Sequence, residues 1–127
     1  MNKARVLIAD DSKFFQKYIK TLVESLGFDV IETVGDGVEA IEALKEKDVN
    51  LIFLDINMPR MTGIEAVEEI INEYPHSTVI MMTSVSDILI VQKCMDLGAA
   101  NYIVKNSSEE EMREIITQTW ELYGDAE

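Results

Sequence analysis

The chain has 127 residues, and its 24 acidic and 11 basic side chains give it a formal net charge of −13. This length suits a single domain, and a hydrophobic content of 47% provides enough core to argue against a wholly disordered chain. The negative charge argues against a nucleic-acid-binding protein and against docking on anionic membranes, because both partners require a basic protein surface.

Apolar strand-like runs and amphipathic helical patterns alternate five times along the chain. In chain order, the sequence predicts strand 5–9, helix 15–26, strand 28–34, helix 38–44, strand 51–54, helix 64–71, strand 79–82, helix 88–97, strand 102–104 and helix 112–120. Apolar strands separated by helices are typical of a parallel sheet with helices on both faces. The pattern therefore predicts an α/β domain with a doubly wound, five-stranded parallel sheet.

Charged and hydroxyl side chains follow four of the predicted strands. Asp10 and Asp11 follow the first strand, Asp55 the third, Thr83 the fourth and Lys105 the fifth. In a doubly wound sheet, ligands bind beyond the carboxyl ends of the strands. We therefore expect three carboxylates, one hydroxyl and one ammonium group to lie together in one site.

The chemistry of these groups points to magnesium and phosphoryl transfer. Three carboxylates packed together repel one another unless a cation compensates them. Oxygen ligands without His or Cys favour Mg²⁺ over Zn²⁺, and Mg²⁺ often bridges a carboxylate to a phosphate. An Asp, a Mg²⁺ ion, a Lys and a hydroxyl are the parts needed to transfer a phosphoryl group to a carboxylate.

Each of these residues also has an ordinary structural interpretation. Asp10 or Asp11 could be the N-cap of the following helix, and Thr83 could cap the helix after the fourth strand. Asp55 could be a turn residue, and Lys105 could be a solvated surface lysine. The functional interpretation depends on finding all of them together at the ends of the strands.

Several motifs match one known family. They are Asp10-Asp11, Asp36-Gly37, the segment Asp-Ile-Asn-Met-Pro at 55–59 with Gly63, Thr83-Ser84, and Tyr-Ile-Val-Lys at 102–105. From about residue 3 to residue 120 the sequence resembles response-regulator receiver domains, and it is most similar to the stand-alone chemotaxis (CheY-like) type. The resemblance implies a flavodoxin-like fold with strand order 2-1-3-4-5 and a phosphorylation-activated switch in two-component signalling, with chemotaxis as the expected pathway.

The resemblance implies a magnesium-dependent phosphoacceptor site. Asp55 would accept the phosphoryl group from a phosphohistidine. Asp11, Asp55 and the backbone carbonyl of Asn57 would bind Mg²⁺ directly, and Asp10 would hold the ion mainly through water. The domain would not be an enzyme in its own right, although it would take part in its own phosphotransfer and autodephosphorylation.

The resemblance also implies how phosphorylation would change the protein surface. Lys105 would pair with Asp55 and then with its phosphoryl group, and Thr83 would donate a hydrogen bond to a phosphoryl oxygen. Tyr102 would turn inward as Thr83 moves, and the face of the fourth helix, fifth strand and fifth helix would then bind a protein target. The other expected partners are a histidine kinase or phosphotransfer domain as donor and a phosphatase, and the domain itself is expected to be a monomer.

Two positions depart from the family pattern, Asn106 and Ser84, and Ser84 follows Thr83 where the family favours Ala or Gly. Asn106 follows Lys105 where the family usually has a proline behind a cis peptide bond. Since a cis bond before Asn would cost about 3–4 kcal/mol, we predict a trans Lys105–Asn106 bond. Ile56, rather than a tryptophan, follows the expected acceptor. The single tryptophan, Trp120, lies on the last predicted helix and not beside the metal site, so we predict that Mg²⁺ quenches its emission little.

A basic stripe lies on the first predicted helix of an otherwise acidic chain. Residues 1–20 carry a net charge of +3, whereas the rest of the chain carries −16. Lys13, Lys17 and Lys20 recur at helical spacing, with Phe14 and Tyr18 beside them. One interpretation is a solvated face with apolar edges. The other is a docking surface for the phosphohistidine donor, formed by Lys13, Phe14 and Lys17.

The remaining features concern location, organisation and competing functions. A single cysteine, Cys94, and the lack of a signal-peptide or membrane-spanning segment predict a cytoplasmic protein. No linker divides the chain, so residues 1–127 are expected to form one receiver domain without an output domain. Alternative functions are a phosphorelay shuttle or phosphate sink, a receiver that no longer accepts phosphate, and an aspartate-nucleophile phosphatase. Asn57 argues against the phosphatase, because those enzymes place a second Asp at that position.

Overall fold

The computed structural model describes residues 3–124, in which five strands and five helices alternate. The strands are β1 (Arg5–Ala9), β2 (Asp29–Val34), β3 (Leu51–Asp55), β4 (Thr78–Thr83) and β5 (Asn101–Val104). The helices are α1 (Lys13–Ser25), α2 (Gly37–Glu46), α3 (Gly63–Glu73), α4 (Ile88–Asp96) and α5 (Glu109–Tyr123). A short 3₁₀ turn (Val85–Asp87) precedes α4.

All neighbouring strands pair in parallel, and their order is β2-β1-β3-β4-β5. This order confirms the predicted doubly wound, flavodoxin-like sheet. Helices α1 and α5 cover one face, whereas α2, α3 and α4 cover the other. Strands β1, β3 and β4 are almost entirely buried, which explains why their sequences are continuous apolar runs.

Alternate residues of each strand enter two separate cores. Val6 and Ile8 belong to the cluster under α1 and α5, which we call the α1/α5 core. Leu7 and Ala9 belong to the cluster under α2, α3 and α4, which we call the α2–α4 core. This division follows from the two-residue period of a strand, because successive side chains point to opposite faces of the sheet.

The same alternation sorts the predicted site residues. Asp55 follows Phe53 of the α1/α5 core by two residues, whereas Thr83 follows Met81 of the α2–α4 core by two. Tyr102 also packs against the α2–α4 core. The predicted phosphoacceptor and the predicted switch residues therefore leave the sheet on opposite faces.

Five strand boundaries differ from the sequence prediction by one residue each, and two of them are the starts of β4 at Thr78 and β5 at Asn101. Asp55 and Thr83 are the last paired residues of β3 and β4, rather than the first residues after them. β2 begins at Asp29, and the preceding Phe28 packs its ring on Trp120 with the centroids 6.1 Å apart. The backbone pairing of Asp55 with Met82 and of Thr83 with Val104 places these two side chains on the ends of their strands.

Side-chain caps determine where four of the helices begin. Each cap accepts a hydrogen bond from a backbone N–H of the first turn, at Ser12 for α1, Asp36 for α2, Thr62 for α3 and Ser108 for α5. The α3 cap is a complete capping box, because the Glu65 carboxylate also accepts from the Thr62 N–H. Within residues 3–124, no helix is long and apolar enough to cross a membrane.

Candidate functional site

Asp10 and Asp11 lie where β1 leads into α1. The Asp10 N–H donates to the Val34 carbonyl at 3.0 Å, and its Oδ1 accepts from the Ser12 N–H at 2.8 Å. Ser12 is the N-cap of α1, so neither acid caps the helix. Asp10 is fully buried and Asp11 is exposed. The turn therefore fixes Asp10 inside the site and leaves Asp11 at its rim.

Asp55 is held at the end of β3 by the loop that follows it. Its side chain is 6% exposed, and its Oδ1 accepts a hydrogen bond of 3.4 Å from the Asn57 N–H. The Gly63 N–H donates to the Ile56 carbonyl at 2.8 Å, which closes the loop against the strand end. A side chain at position 63 would collide with the Asp55 carbonyl oxygen, so this close approach requires glycine.

Lys105 reaches both buried carboxylates from the end of β5. Its Nζ lies 2.7 Å from Asp10 Oδ2 and 3.4 Å from Asp55 Oδ2. The ammonium is therefore nearer to Asp10 than to the predicted acceptor. The Lys105–Asn106 peptide bond is trans, as predicted, like the other peptide bonds of the described residues.

The three carboxylates are close enough to share a cation. One oxygen from each of Asp10, Asp11 and Asp55 lies within 4.8 Å of the other two. Burial and the charge of Asp10 raise the pKa of Asp55 to about 7, although Lys105 opposes the shift. Burial alone would lower the pKa of Lys105, but its contacts with the two carboxylates raise it. The site thus holds more negative charge than one ammonium group compensates.

Mg²⁺ fits this acidic cluster. Asp10 Oδ2 is buried and has no hydrogen-bond donor at a suitable angle, although Lys105 Nζ lies within ion-pair distance. A buried oxygen in this condition is costly, and a hydrated cation in the cluster would satisfy it. The available ligands are carboxylate oxygens, with no His or Cys among them, which is the donor set that suits Mg²⁺.

Strand β4 lies beside β3, ends at the Thr83 hydroxyl and leads into a loop that is held by hydrogen bonds. Thr83 is buried, and its hydroxyl donates to the Ser84 carbonyl at 2.9 Å. The Ser84 hydroxyl donates to Asp87 Oδ2 at 2.9 Å, and the same oxygen accepts a 2.6 Å hydrogen bond from the Asn57 side-chain amide. Asp87 thereby ties the 3₁₀ turn to the β3–α3 loop, which carries a predicted magnesium ligand.

Comparison with known sequences assigns this chain to a family. Residues 6–117 match the response regulator receiver domain. The chain belongs to that family. It is 40% identical over 103 residues to the chemotaxis protein CheY of Treponema pallidum, a match that covers 80% of this chain and 72% of the relative. It is 33% identical over 115 residues to CheY of Bacillus subtilis, with coverage of 91% and 96%.

Solved structures agree with the assignment of this receiver domain. A CheY-like receiver domain protein from Methanospirillum hungatei is 25% identical and superposes with a TM-score of 0.88, covering 99% of this chain and 100% of the other. The CheX–CheY–BeF3–Mg complex from Borrelia burgdorferi matches with 31% identity and a TM-score of 0.84, covering 92% and 89%. The chain is therefore a receiver domain of two-component signalling with similarity to chemotaxis proteins.

Tyr102 of the receiver domain lies next to the end of β4. It pairs with Met81 in the register of the two strands, and its half-buried ring packs against the α2–α4 core. Thr83 follows Met81 on the same face of the sheet. The two predicted switch residues therefore lie on the same face of the sheet.

The predicted docking residues lie on the exposed side of α1. Lys13 lines a cleft that also contains Asp11. Phe14, which is 79% exposed, and Lys17 line an apolar groove beside Tyr18 and the start of α5. The receiver domain thus places a basic and partly apolar surface next to its acidic cluster.

Two residues near the site escaped the sequence prediction, namely Phe15 and Asp87. Phe15 fits the apolar pattern of α1, which gives no sign that the Lys105 ammonium lies over its ring. An acid before a helix is an ordinary cap signal, but the Asp87 side chain makes no cap hydrogen bond and bonds to Asn57 instead. Both roles depend on partners far away in sequence, and such partners leave no local signal.

Proposed function

We propose that this receiver domain is a phosphorylation-activated switch that acts through protein contacts in the cytoplasm, in chemotaxis signalling. The observation that carries the proposal is the convergence of three carboxylates and one ammonium, from Asp10, Asp11, Asp55 and Lys105, at one edge of the sheet. The donor is a phosphohistidine on a histidine kinase or phosphotransfer domain. The similarity to CheY proteins supports chemotaxis as the pathway.

In the proposed reaction, an Asp55 carboxylate oxygen attacks the phosphorus of the phosphohistidine. A P–O bond forms, the P–N bond breaks, and the imidazole nitrogen leaves with the electron pair and takes up a proton. Asp11, Asp55 and the Asn57 carbonyl would hold Mg²⁺, and Asp10 would hold it through water. When bound, Mg²⁺ neutralises charge on the phosphoryl oxygens.

The proposed switch begins with the new charge on Asp55. A phosphoryl group adds strong acceptor oxygens, which attract the Lys105 ammonium and the Thr83 hydroxyl. The hydroxyl then leaves the Ser84 carbonyl, and Tyr102 turns into the space on the same face. This movement changes the surface of α4, β5 and α5, so the affinity for a target follows the population of the two states.

Beryllofluoride with Mg²⁺ tests this proposal, because it mimics an aspartyl phosphate. We expect saturable binding with NMR shift changes at the acidic cluster and at Tyr102. Asp55→Asn should abolish binding. Asp36→Asn is the matched control, since Asp36 is also buried and Asn retains its capping ability. Absence of any response in the wild-type protein would reject the switch, and multiple turnover of a phosphomonoester would indicate a phosphatase instead.

The proposed donor-docking surface consists of Lys13, Phe14 and Lys17. We expect Lys17→Glu to slow phosphotransfer from a phosphorylated histidine phosphotransfer domain by about tenfold, because charge complementarity mainly affects the association rate. Lys45→Glu, on α2, is the matched exposed control and should leave the rate unchanged. Neither change should alter phosphorylation by acetyl phosphate, which needs no docking surface. Equal rates for the two variants with the protein donor would reject this surface.

A further inference from the structure

The Lys105 ammonium lies over an aromatic ring as well as beside two carboxylates. Its Nζ is 4.8 Å from the centroid of the Phe15 ring, within the range of a cation–π contact. Phe15 is 7% exposed and the Lys105 side chain 26%, so the contact is largely shielded from water. We propose that Phe15 is a positioning residue that holds Lys105 ready for a phosphoryl group on Asp55; this inference rests on the proposed function.

The local structure of α1 fixes the Phe15 ring before any ligand arrives. The Ser12 hydroxyl caps the helix and accepts a hydrogen bond of 3.2 Å from the Phe15 N–H. The ring packs within the α1/α5 core, and its centroid lies 5.7 Å from that of Tyr18. The cap holds the backbone and the core holds the ring, so Phe15 presents a rigid surface to Lys105.

The ring adds a restraint on Lys105 to those that the two carboxylates supply. Its long stem loses considerable rotamer entropy when it is held in one position. The 2.7 Å contact with Asp10 Oδ2 lacks hydrogen-bond angles, and the distance to Asp55 Oδ2 is 3.4 Å. The residue that follows is Asn106, in place of the proline expected from the family resemblance. The carboxylates therefore hold the ammonium at unequal distances, nearer to Asp10 than to the predicted acceptor.

A ring face is suited to a lysine that must change partners. The ring quadrupole attracts a cation over an area and does not require one bond direction. Lys105 can therefore move from Asp10 towards a phosphoryl oxygen on Asp55 and keep its contact with Phe15. A leucine at position 15 would fill similar space in the core but would offer no such attraction.

A direct measurement of the contact does not depend on phosphorylation. In the wild-type protein, the Lys105 ε-methylene protons should show an upfield ring-current shift in the NMR spectrum. Phe15→Leu should remove the shift. Ile19→Val, another buried α1 position, should leave it in place. An identical Lys105 shift in the wild type and in Phe15→Leu would overturn the inference.

A double-mutant cycle tests whether the contact positions Lys105 for its function. Phe15→Leu should weaken beryllofluoride–Mg²⁺ binding by about threefold to tenfold, because a Lys105 side chain without the ring has more rotamer freedom to lose when it is held against the bound group. The same change should have no further effect in a Lys105→Met background. Phe15→Tyr keeps an aromatic ring and should bind beryllofluoride as tightly as the wild type. An equal loss in both backgrounds would show a structural role only and overturn the inference. If the wild type binds no beryllofluoride, the proposed function fails, while the ring-current result still decides whether the contact exists.

Discussion

At the scale of single residues, the most informative group is Asp55. Its pKa is raised to about 7 by burial and by the neighbouring charge of Asp10, against the opposing effect of Lys105. A carboxyl group with a raised pKa binds its proton more tightly in the folded protein than in the unfolded chain. The contribution of Asp55 to stability is therefore greatest below the ordinary Asp pKa, and it is lost as the pH rises from that value towards 7.

We expect Asp55→Asn to stabilise the metal-free protein at pH 8, because the variant has no buried charge at this position. The gain in the free energy of unfolding should be on the order of 1–3 kcal/mol at pH 8 and should nearly vanish at pH 4. Urea denaturation at both pH values, with a chelator present, measures it. A variant less stable than the wild type at pH 8 would contradict the raised pKa.

In the same urea experiment, Asp36→Asn should change the free energy of unfolding in the opposite direction. Burial opposes ionisation of Asp36, but hydrogen bonds from Arg60 and the Glu39 N–H outweigh it and lower the pKa of this carboxyl. Its stabilising contribution is present above the ordinary Asp value and is lost as the pH falls through the lowered value. Asp36→Asn should therefore destabilise the protein at pH 8, where Asp55→Asn stabilises it.

Gly63 is the second residue-scale feature, because it allows the β3–α3 loop to approach the strand end. Gly63→Ala would place a methyl group against the Asp55 carbonyl and 2.7 Å from Ile56 Cα. We expect a loss of about 1–3 kcal/mol in the free energy of unfolding and weaker Mg²⁺ binding. Gly35→Ala is the control, since its methyl group would be 3.4 Å from one Glu39 oxygen and should change stability by less than about 1 kcal/mol.

At the scale of secondary-structure elements, Asp87 connects two loops that the sheet alone leaves separate. Asp87→Ala removes the acceptor for the Asn57 amide and the Ser84 hydroxyl. We expect amide hydrogen exchange at residues 84–89 to become about threefold to tenfold faster, because a hydrogen bond contributes about 1 kcal/mol. Asp96→Ala removes an acid that bonds only within α4, to Gln92, and should leave these amides unchanged. Equal exchange in the two variants would show that Asp87 does not hold the loop.

The elements were predictable from the sequence because the sheet is buried on both faces. Apolar runs such as 51–54 and 79–82 can be satisfied only between two layers of helices, which dictates the architecture. The strand ends were less predictable. Asp55 and Thr83 are polar and were placed after their strands, but backbone pairing with β4 and β5 extends the strands to include them. Such pairing depends on neighbouring strands and not on local composition.

The candidate site was predictable as a set of residues but not in its detailed contacts. Asp10, Asp11, Asp55 and Lys105 meet at one edge because parallel strands end together. The closer approach of Lys105 to Asp10 than to Asp55 could not be anticipated, since it depends on the path of a flexible side chain past Phe15. The family resemblance supplied the expected roles and the strand order, which periodicity alone left open.

At the scale of the whole molecule, Trp120 and the acidic cluster lie at opposite ends of the sheet. Trp120 packs on Phe28, and the next residue, Asp29, pairs with Arg5 at the start of β1. Asp10 follows the end of the same strand. We therefore expect Mg²⁺ to leave the Trp120 emission nearly unchanged. Fluorescence titration checks this, with heat release in calorimetry as evidence that the ion binds. Strong quenching alongside binding would contradict the expected separation.

The two cores on either side of the sheet should respond largely independently to substitution. Asp55 leaves the sheet on the side of the α1/α5 core, and Thr83 and Tyr102 leave it on the side of the α2–α4 core. Substitutions that share no partners tend to add independently in their effects. A substitution beneath α4 can therefore change the packing around Tyr102 while the packing beneath α1 stays the same.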